Sequence, residues 1–191
     1  MSDRQARKGV ALVVLDLISD YQYPGGMAIL PAAFKAAHRI AALKQRLRRR
    51  KIPVIYVNDT HGRWESDQAA FLRRCLESPP PAAALVEKIL PGPEDYFIFK
   101  PRHSAFFATP LQELLAELDV GTLILAGVSS HQCVLYTAID AHVRKFNVTI
   151  ARDCIAASSL VETRHALFIL EHSVGARILE SRYLRLASRS G

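Results

Sequence analysis

No apolar run in this chain reaches the roughly 18 residues that a membrane-spanning helix needs, so nothing in the pattern marks a transmembrane segment and no membrane partner is expected. Cysteine is scarce. Cys75, Cys133 and Cys154 are odd in number, widely spaced and without a CxxC pair. That argues against a disulfide framework and for free thiols in a reducing compartment. Acidic residues are outnumbered, 18 against 25 Lys and Arg, for a net charge of +7. Much of the excess lies in Lys44, Arg46, Arg48, Arg49, Arg50 and Lys51. The cluster ends a predicted helix, where cations complement the dipole and stay in water. No aromatic residue interleaves with it, as a base-stacking surface requires, so nucleic acid is not expected as a partner. The first residues, Met1 to Lys8, are polar, and the apolar stretch Val10 to Leu15 is too short for a signal-peptide core. A cytoplasmic location is therefore expected.

What is present is the composition of a folded α/β chain. Half of the 191 residues are hydrophobic, and the length suits one domain with a sizeable core. Val10 to Leu15 is almost wholly apolar and β-branched, as suits a strand buried on both faces of a parallel sheet. Further strands are predicted at Pro53 to Val57, Tyr96 to Phe99, Val120 to Ala126, Val148 to Ala151 and Ala176 to Leu179. Helical periodicity spans Ala32 to Arg50, Glu65 to Leu76, Ala82 to Ile89, Pro110 to Leu118, Ser130 to Phe146 and Leu160 to His172. Tyr23-Pro24-Gly25-Gly26 reads as a turn, and Pro79-Pro80-Pro81 breaks a helix. The tail Ser181 to Gly191 is polar and basic and is expected to fray, as is the N-terminal octet. Strands alternating with helices imply βαβ crossovers and a parallel sheet covered on both faces, an α/β fold.

In such sheets ligands bind outside the carboxyl ends of the strands. Those ends carry Asp16, Asn58-Asp59, Lys100, Ser129 to Cys133, and Asp153, for which a cap or turn role is the preferred reading. Cys133 follows a strand, Thr122 to Ala126, and a polar turn, Gly127 to Gln132, and opens a helix. Free N–H groups and the helix dipole there favour a thiolate and offer donors to an oxyanion; the other reading is a buried structural cysteine. Asp16, Lys100 and Cys133 supply a base, a cation and a nucleophile to one cleft.

Three blocks of sequence add to this: Val13-Val14-Leu15-Asp16, Lys100 to Phe107 (KPRHSAFF), and Ala126 to Val134 (AGVSSHQCV). Together, and in order, they resemble the signature blocks of the isochorismatase-like cysteine hydrolases. The resemblance covers almost the whole chain. It implies a three-layer α/β/α fold with a six-stranded parallel sheet and a catalytic triad of Asp16, Lys100 and Cys133. Asp16 would take the thiol proton, Lys100 would stabilise the thiolate, and Cys133 would attack an amide, ureide or carbamate carbonyl to form a thioester. The oxyanion would sit against the backbone N–H groups of Ser129 and Cys133, with a cis peptide at Val128–Ser129. A homodimer or homotetramer is expected by the same analogy.

Other members set the alternatives. True isochorismatases cleave an enol ether and commonly lack the cysteine. A catalytically idle member would use the cleft as a binding module or thiol sensor. Asp59-Thr60-His61 has the spacing of the nicotinamidase metal site, but no histidine lies from Gly62 to Arg102 to complete it. Two ligands seldom hold a divalent ion tightly, so no metal and no cofactor are expected. Candidate substrate contacts are Tyr21, Asp59, Trp64, Arg102, His103, Phe106 and His131, with Arg102 suited to a carboxylate. Cys75, at a helix end, and Cys154, in the loop predicted after the fifth strand, read as bystanders.

Overall fold

The computed structural model describes residues 9–63 and 66–184. Six strands are present: β1 (Gly9–Leu15), β2 (Val54–Asp59), β3 (Tyr96–Lys100), β4 (Val120–Val128), β5 (Asn147–Ala156) and β6 (Arg177–Leu179). They form one sheet in the order β3-β2-β1-β4-β5-β6, parallel at every pairing. Six α-helices accompany it: α1 (Gly26–Arg48), α2 (Gln68–Leu76), α3 (Ala82–Lys88), α4 (Leu111–Glu117), α5 (Leu135–Val143) and α6 (Leu160–His172).

The sequence of β1 explains the three layers. Alternate side chains of a strand point to opposite faces. Leu12 and Val14 pack into a core with α1, α2 and α3, whereas Ala11, Val13 and Leu15 pack into a second core with α4, α5 and α6. Both faces of the strand are therefore apolar, as the continuous hydrophobic run requires. The chain order reverses beside β1: β2 and β3 lie to one side, and β4 to β6 to the other. A crevice must open where neighbouring connections depart in opposite directions, between the ends of β1 and β4. Those two strands approach closely at Leu15 and Gly127, which are paired in register. A Cβ on Gly127 would lie 2.0 Å from the Leu15 carbonyl oxygen, and its φ of 113° also demands glycine.

Several boundaries differ from the expected ones. Helix α1 starts at Gly26, six residues before the expected Ala32, and runs through Pro31. The proline removes one helical hydrogen bond, but Ile29 and Leu30 on the added turns are 4% and 2% exposed, and their burial outweighs that loss. Strand β5 extends five residues past Ala151, so Asp153 and Cys154 lie within a strand and not in a turn or loop. Asp153 instead clasps the C-terminal segment, accepting hydrogen bonds from the Ser181 N–H (2.6 Å) and hydroxyl (2.8 Å). Ser181–Tyr183 form a 3-10 turn, with Ser181 and Leu184 buried, where fraying was expected. Residues 1–8 and 185–191 lie outside the described residues.

The basic cluster is also less solvated than its composition suggests. Lys44 is 5% exposed, paired with Asp95 at 2.8 Å and hydrogen-bonded to the Tyr56 hydroxyl and the Leu90 carbonyl. Arg46 donates to the carbonyls of Ser181 and Leu184, and Arg48 pairs with the same Asp95. Three of these cations thus tie α1 to the chain around it. Among the described residues no helix is long and apolar enough to cross a membrane.

Candidate active site

Each site residue ends a strand or follows one. Asp16 follows β1 with a φ of 49°, and its N–H donates to the Val57 carbonyl at the end of β2 (3.1 Å). Asp59 ends β2 and pairs in register with Lys100, which ends β3. Beyond Lys100 the chain is pinned onto the nucleophile helix: the Ser104 hydroxyl donates to Asp140, and the Ala105 N–H donates to the Thr137 hydroxyl at 3.0 Å. Cys133 sits in a π-helical turn, Ser130–Val134, that precedes α5. A regular helix from Ser130 was expected. The wider turn lets the Ser129 carbonyl accept from both Gln132 (3.1 Å) and Val134 (3.2 Å), passing over the N–H of Cys133. The Val128–Ser129 peptide is cis, as the resemblance implied.

These elements bring Asp16, Lys100 and Cys133 together. The Lys100 ammonium, with its side chain wholly buried, lies 2.8 Å from Asp16 Oδ2, 3.6 Å from Cys133 Sγ and 3.8 Å from Asp59 Oδ2. Asp16 Oδ1 accepts the Asp59 N–H at 2.6 Å. Asp16 Oδ2 carries the ion pair to Lys100 and accepts no well-aligned N–H or O–H hydrogen bond among the described residues, so it retains acceptor capacity. Burial alone would lower the pKa of Lys100, but Asp16 first, then Cys133, with smaller help from Asp59, turn the net shift upward. The ammonium is a fixed cation.

The thiol behaves differently from its sequence reading. Burial pushes the pKa of Cys133 far above its ordinary value, the Asp16 charge raises it further, and Lys100 and the Ser129 N–H offset only part of this. Desolvation thus works against the thiolate that the helix-terminus argument favours. Cys154 is shifted in the same direction, first by burial and then by Asp153. Unfolded thiols release their protons from about pH 8.5, whereas these two hold them when folded. The unfolded state then binds fewer protons, so stability is full below about pH 8.5 and falls above it, by roughly 1.4 kcal/mol per pH unit for each thiol. Urea midpoints at pH 7.5, 8.5 and 9.5 should show this decline, and Cys154→Ala should make its slope shallower. A flat profile would sink the account.

A cavity of about 290 Å³ opens over Sγ, lined by Asp16, Tyr23, Ile29, Asp59, His61, His103, Val128, Ser129, His131, Gln132 and Ser158 among others. Asp59, His103 and His131 thus line the cavity over the thiol. His131 accepts or donates a 3.0 Å hydrogen bond with the Ser129 hydroxyl, and its far nitrogen lies 3.9 Å from Glu162. Arg102 borders a second cavity beside the first. Tyr21 and Phe106 do not line either cavity. The Tyr21 ring is fully buried and its hydroxyl donates to the Leu17 carbonyl, because its backbone turns into the left-handed region and aims the ring at the core. Phe106 stacks on Phe146 under Arg144, since the anchoring of Ser104 and Ala105 rotates it inward. Trp64 lies outside the described residues. Tyr23 and Ser158 were missed as site residues. The turn signal at Tyr23-Pro24-Gly25 was visible, and the resemblance places substrate specificity in loops such as Gln22 to Leu30, but Tyr23 itself was not among the expected contacts.

Asp59 and His61, the pair with the spacing of the nicotinamidase metal site, are engaged in other contacts. Asp59 Oδ1 accepts the His61 N–H at 2.6 Å, and the imidazole stacks on Tyr23 at 4.5 Å. Among the described residues no group of three potential ligands is assembled.

Fold and site together define a three-layer α/β protein with a carboxylate, an ammonium and a thiol meeting at the switch point of a parallel sheet. The chain belongs to the isochorismatase family and is one of its hydrolases: residues 10–181 match the isochorismatase domain. It is 36% identical over 168 residues to the uncharacterised isochorismatase family protein YaaI of Bacillus subtilis, covering 88% of this chain and 92% of that one. It is 29% identical over 153 residues to maleamate amidohydrolase of Pseudomonas putida, covering 76% and 71%. Among solved structures it resembles N-carbamoylsarcosine amidase of Thermoplasma acidophilum, with a TM-score of 0.74, 25% identity and coverage of 94% and 100%.

Proposed function

We propose that this hydrolase cleaves the C–N bond of a small amide, ureide or carbamate through a thioester on Cys133. The observation that carries the reading is the Lys100 ammonium held within 2.8 Å of Asp16 and 3.6 Å of the Cys133 sulfur. Asp16 Oδ2 takes the thiol proton as Sγ bonds to the carbonyl carbon. Lys100 stays protonated and offsets the charge passing between thiol and carboxylate. The carbonyl oxygen becomes an oxyanion facing the N–H groups of Ser129 and Cys133, the latter passed over by the Ser129 carbonyl. Asp16 then gives its proton to the departing nitrogen, the C–N bond breaks, and ammonia or an amine leaves. Water adds to the thioester as Asp16 accepts its proton; the C–S bond breaks and the proton returns to sulfur.

An enol ether offers no carbonyl carbon to a thiol, so a cysteine at the centre favours C–N cleavage over isochorismatase-type chemistry. Relatives named as a maleamate amidohydrolase and an N-carbamoylsarcosine amidase support the same reading. Three free, buried cysteines suit the reducing cytoplasm. A coupled assay for ammonia across a panel of small amides and ureides tests the proposal. Release above the buffer rate, with a thioester trapped by hydroxylamine, is expected; hydrolysis of none of them would overturn it.

A further inference from the structure

Ser129 lines the cavity over Cys133, yet the thioester route uses only its N–H. That N–H faces the Cys133 sulfur. The hydroxyl is held from the other side, with Oγ 3.0 Å from His131 Nδ1. His131 Nε2 in turn lies 3.9 Å from Glu162 Oε1. Ser129, His131 and Glu162 thus form a chain that runs from the sulfur to the first turn of α6.

Glu162 is itself fixed. Its Oε2 accepts the Ser158 hydroxyl (2.6 Å) and the Ser159 N–H (2.9 Å), and its own N–H donates to the Ser159 hydroxyl (3.2 Å). The reciprocal Ser159–Glu162 pair is the capping box of α6. It engages one carboxylate oxygen and leaves the other to face the imidazole. The same hydrogen bonds, that of Ser158 first, hold the Glu162 carboxyl below its ordinary range, so it faces His131 as an anion. The order of donors along the chain follows. A ring nitrogen opposite a carboxylate is favoured as N–H, because a lone pair there is repelled. A neutral imidazole has one N–H, so Nδ1 is the acceptor. The Ser129 hydroxyl donates its one proton to Nδ1 and shows the cavity only lone pairs.

Resting on the C–N hydrolase reading, we infer that the Ser129 hydroxyl oxygen accepts a hydrogen bond from the N–H of the scissile amide, and that His131 and Glu162 are positioning residues that fix this polarity. Ser129 then matches an amide at both ends, its backbone N–H to the carbonyl oxygen and its Oγ to the nitrogen. An ester carries lone pairs where the amide carries N–H, and these meet the lone pairs of Oγ. The chain thereby selects an amide or ureide over the ester of the same acid, by a group that the ester cannot satisfy. Ser158, which anchors Glu162, lines the same cavity, so the far end of the chain is built into the site wall.

The best amide of the panel and the methyl ester of the same acid isolate the contact, because they share the acyl group and the thioester it forms. The ratio of their kcat/KM values is the readout, so a general loss of turnover cancels. Ser129→Ala should lower the amide-to-ester ratio at least tenfold, and Ser129→Thr, which keeps a hydroxyl, should hold it within about threefold of wild type. His131→Phe, which cannot take the hydroxyl proton, should lower the ratio as well. A wild-type ratio kept in Ser129→Ala or in His131→Phe overturns the inference and leaves C–N hydrolysis intact. A second measurement needs no turnover, and so decides even if no amide is cleaved. In nitrogen NMR of protein with isotope-labelled histidine, the His131 ring, assigned by its absence from His131→Phe, should carry its proton on Nε2 at pH 8. Glu162→Gln should lower that Nε2–H share. A wild-type ring protonated on Nδ1 or on both nitrogens, or one that Glu162→Gln leaves unchanged, overturns the chain.

Discussion

Replacing Cys133 with alanine is expected to lower kcat by roughly 10⁴-fold or more while leaving the fold in place. The thiol lines the cavity and contacts the ammonium and, through it, the carboxylate. It is 8% exposed and small, so its removal leaves a minor void at the cavity floor, and the melting temperature should move by only a few degrees. Ammonia release with the best substrate of the panel measures the loss. Cys75→Ala and Cys154→Ala are the matched controls, since both thiols are fully buried away from the cleft and should leave turnover near wild type. Full activity in Cys133→Ala would end the thioester mechanism.

Asp16→Asn should produce two effects of opposite sense. Turnover should fall by about 10³-fold, because the amide cannot take the thiol proton or return it to the leaving nitrogen. The same change removes a negative charge that, after burial, does most to keep Cys133 protonated, while Lys100 remains beside the sulfur. The thiol pKa must therefore drop, and alkylation of Cys133 by iodoacetamide at pH 8 should become faster than in the wild type. Peptide mass spectrometry, cysteine by cysteine, reads this directly. A variant that is slower in both reactions would mean that Asp16 builds the site without acting as its base.

The opposition between those effects explains why the sequence reading of Cys133 was half right. Its place after β4 was legible, because an apolar run, a glycine and a polar turn announce a strand end. The burial that raises its pKa was not, because local sequence shows the helix terminus but not the enclosing walls. Those walls come from Tyr23, Ile29 and Ser158, far away in the chain. Tyr21 and Phe106 failed for a related reason. Both lie within blocks that carry the site, but a left-handed backbone at Tyr21 and the anchoring of Ser104 turn their rings into the cores. Asp153 likewise looked like a strand end until β5 proved longer, and it holds the C-terminal segment instead.

By itself the sequence determined the parallel α/β architecture, since continuous apolar runs alternating with amphipathic stretches admit few other burials. It determined too which ends carry Asp16, Lys100 and Cys133. Only the tertiary structure decided that the three touch, that burial raises the pKa of the thiol, and that Arg102 borders a second cavity. Distances between strand ends and the loss of water around a buried group depend on the packing of segments remote in sequence, and no local pattern encodes them.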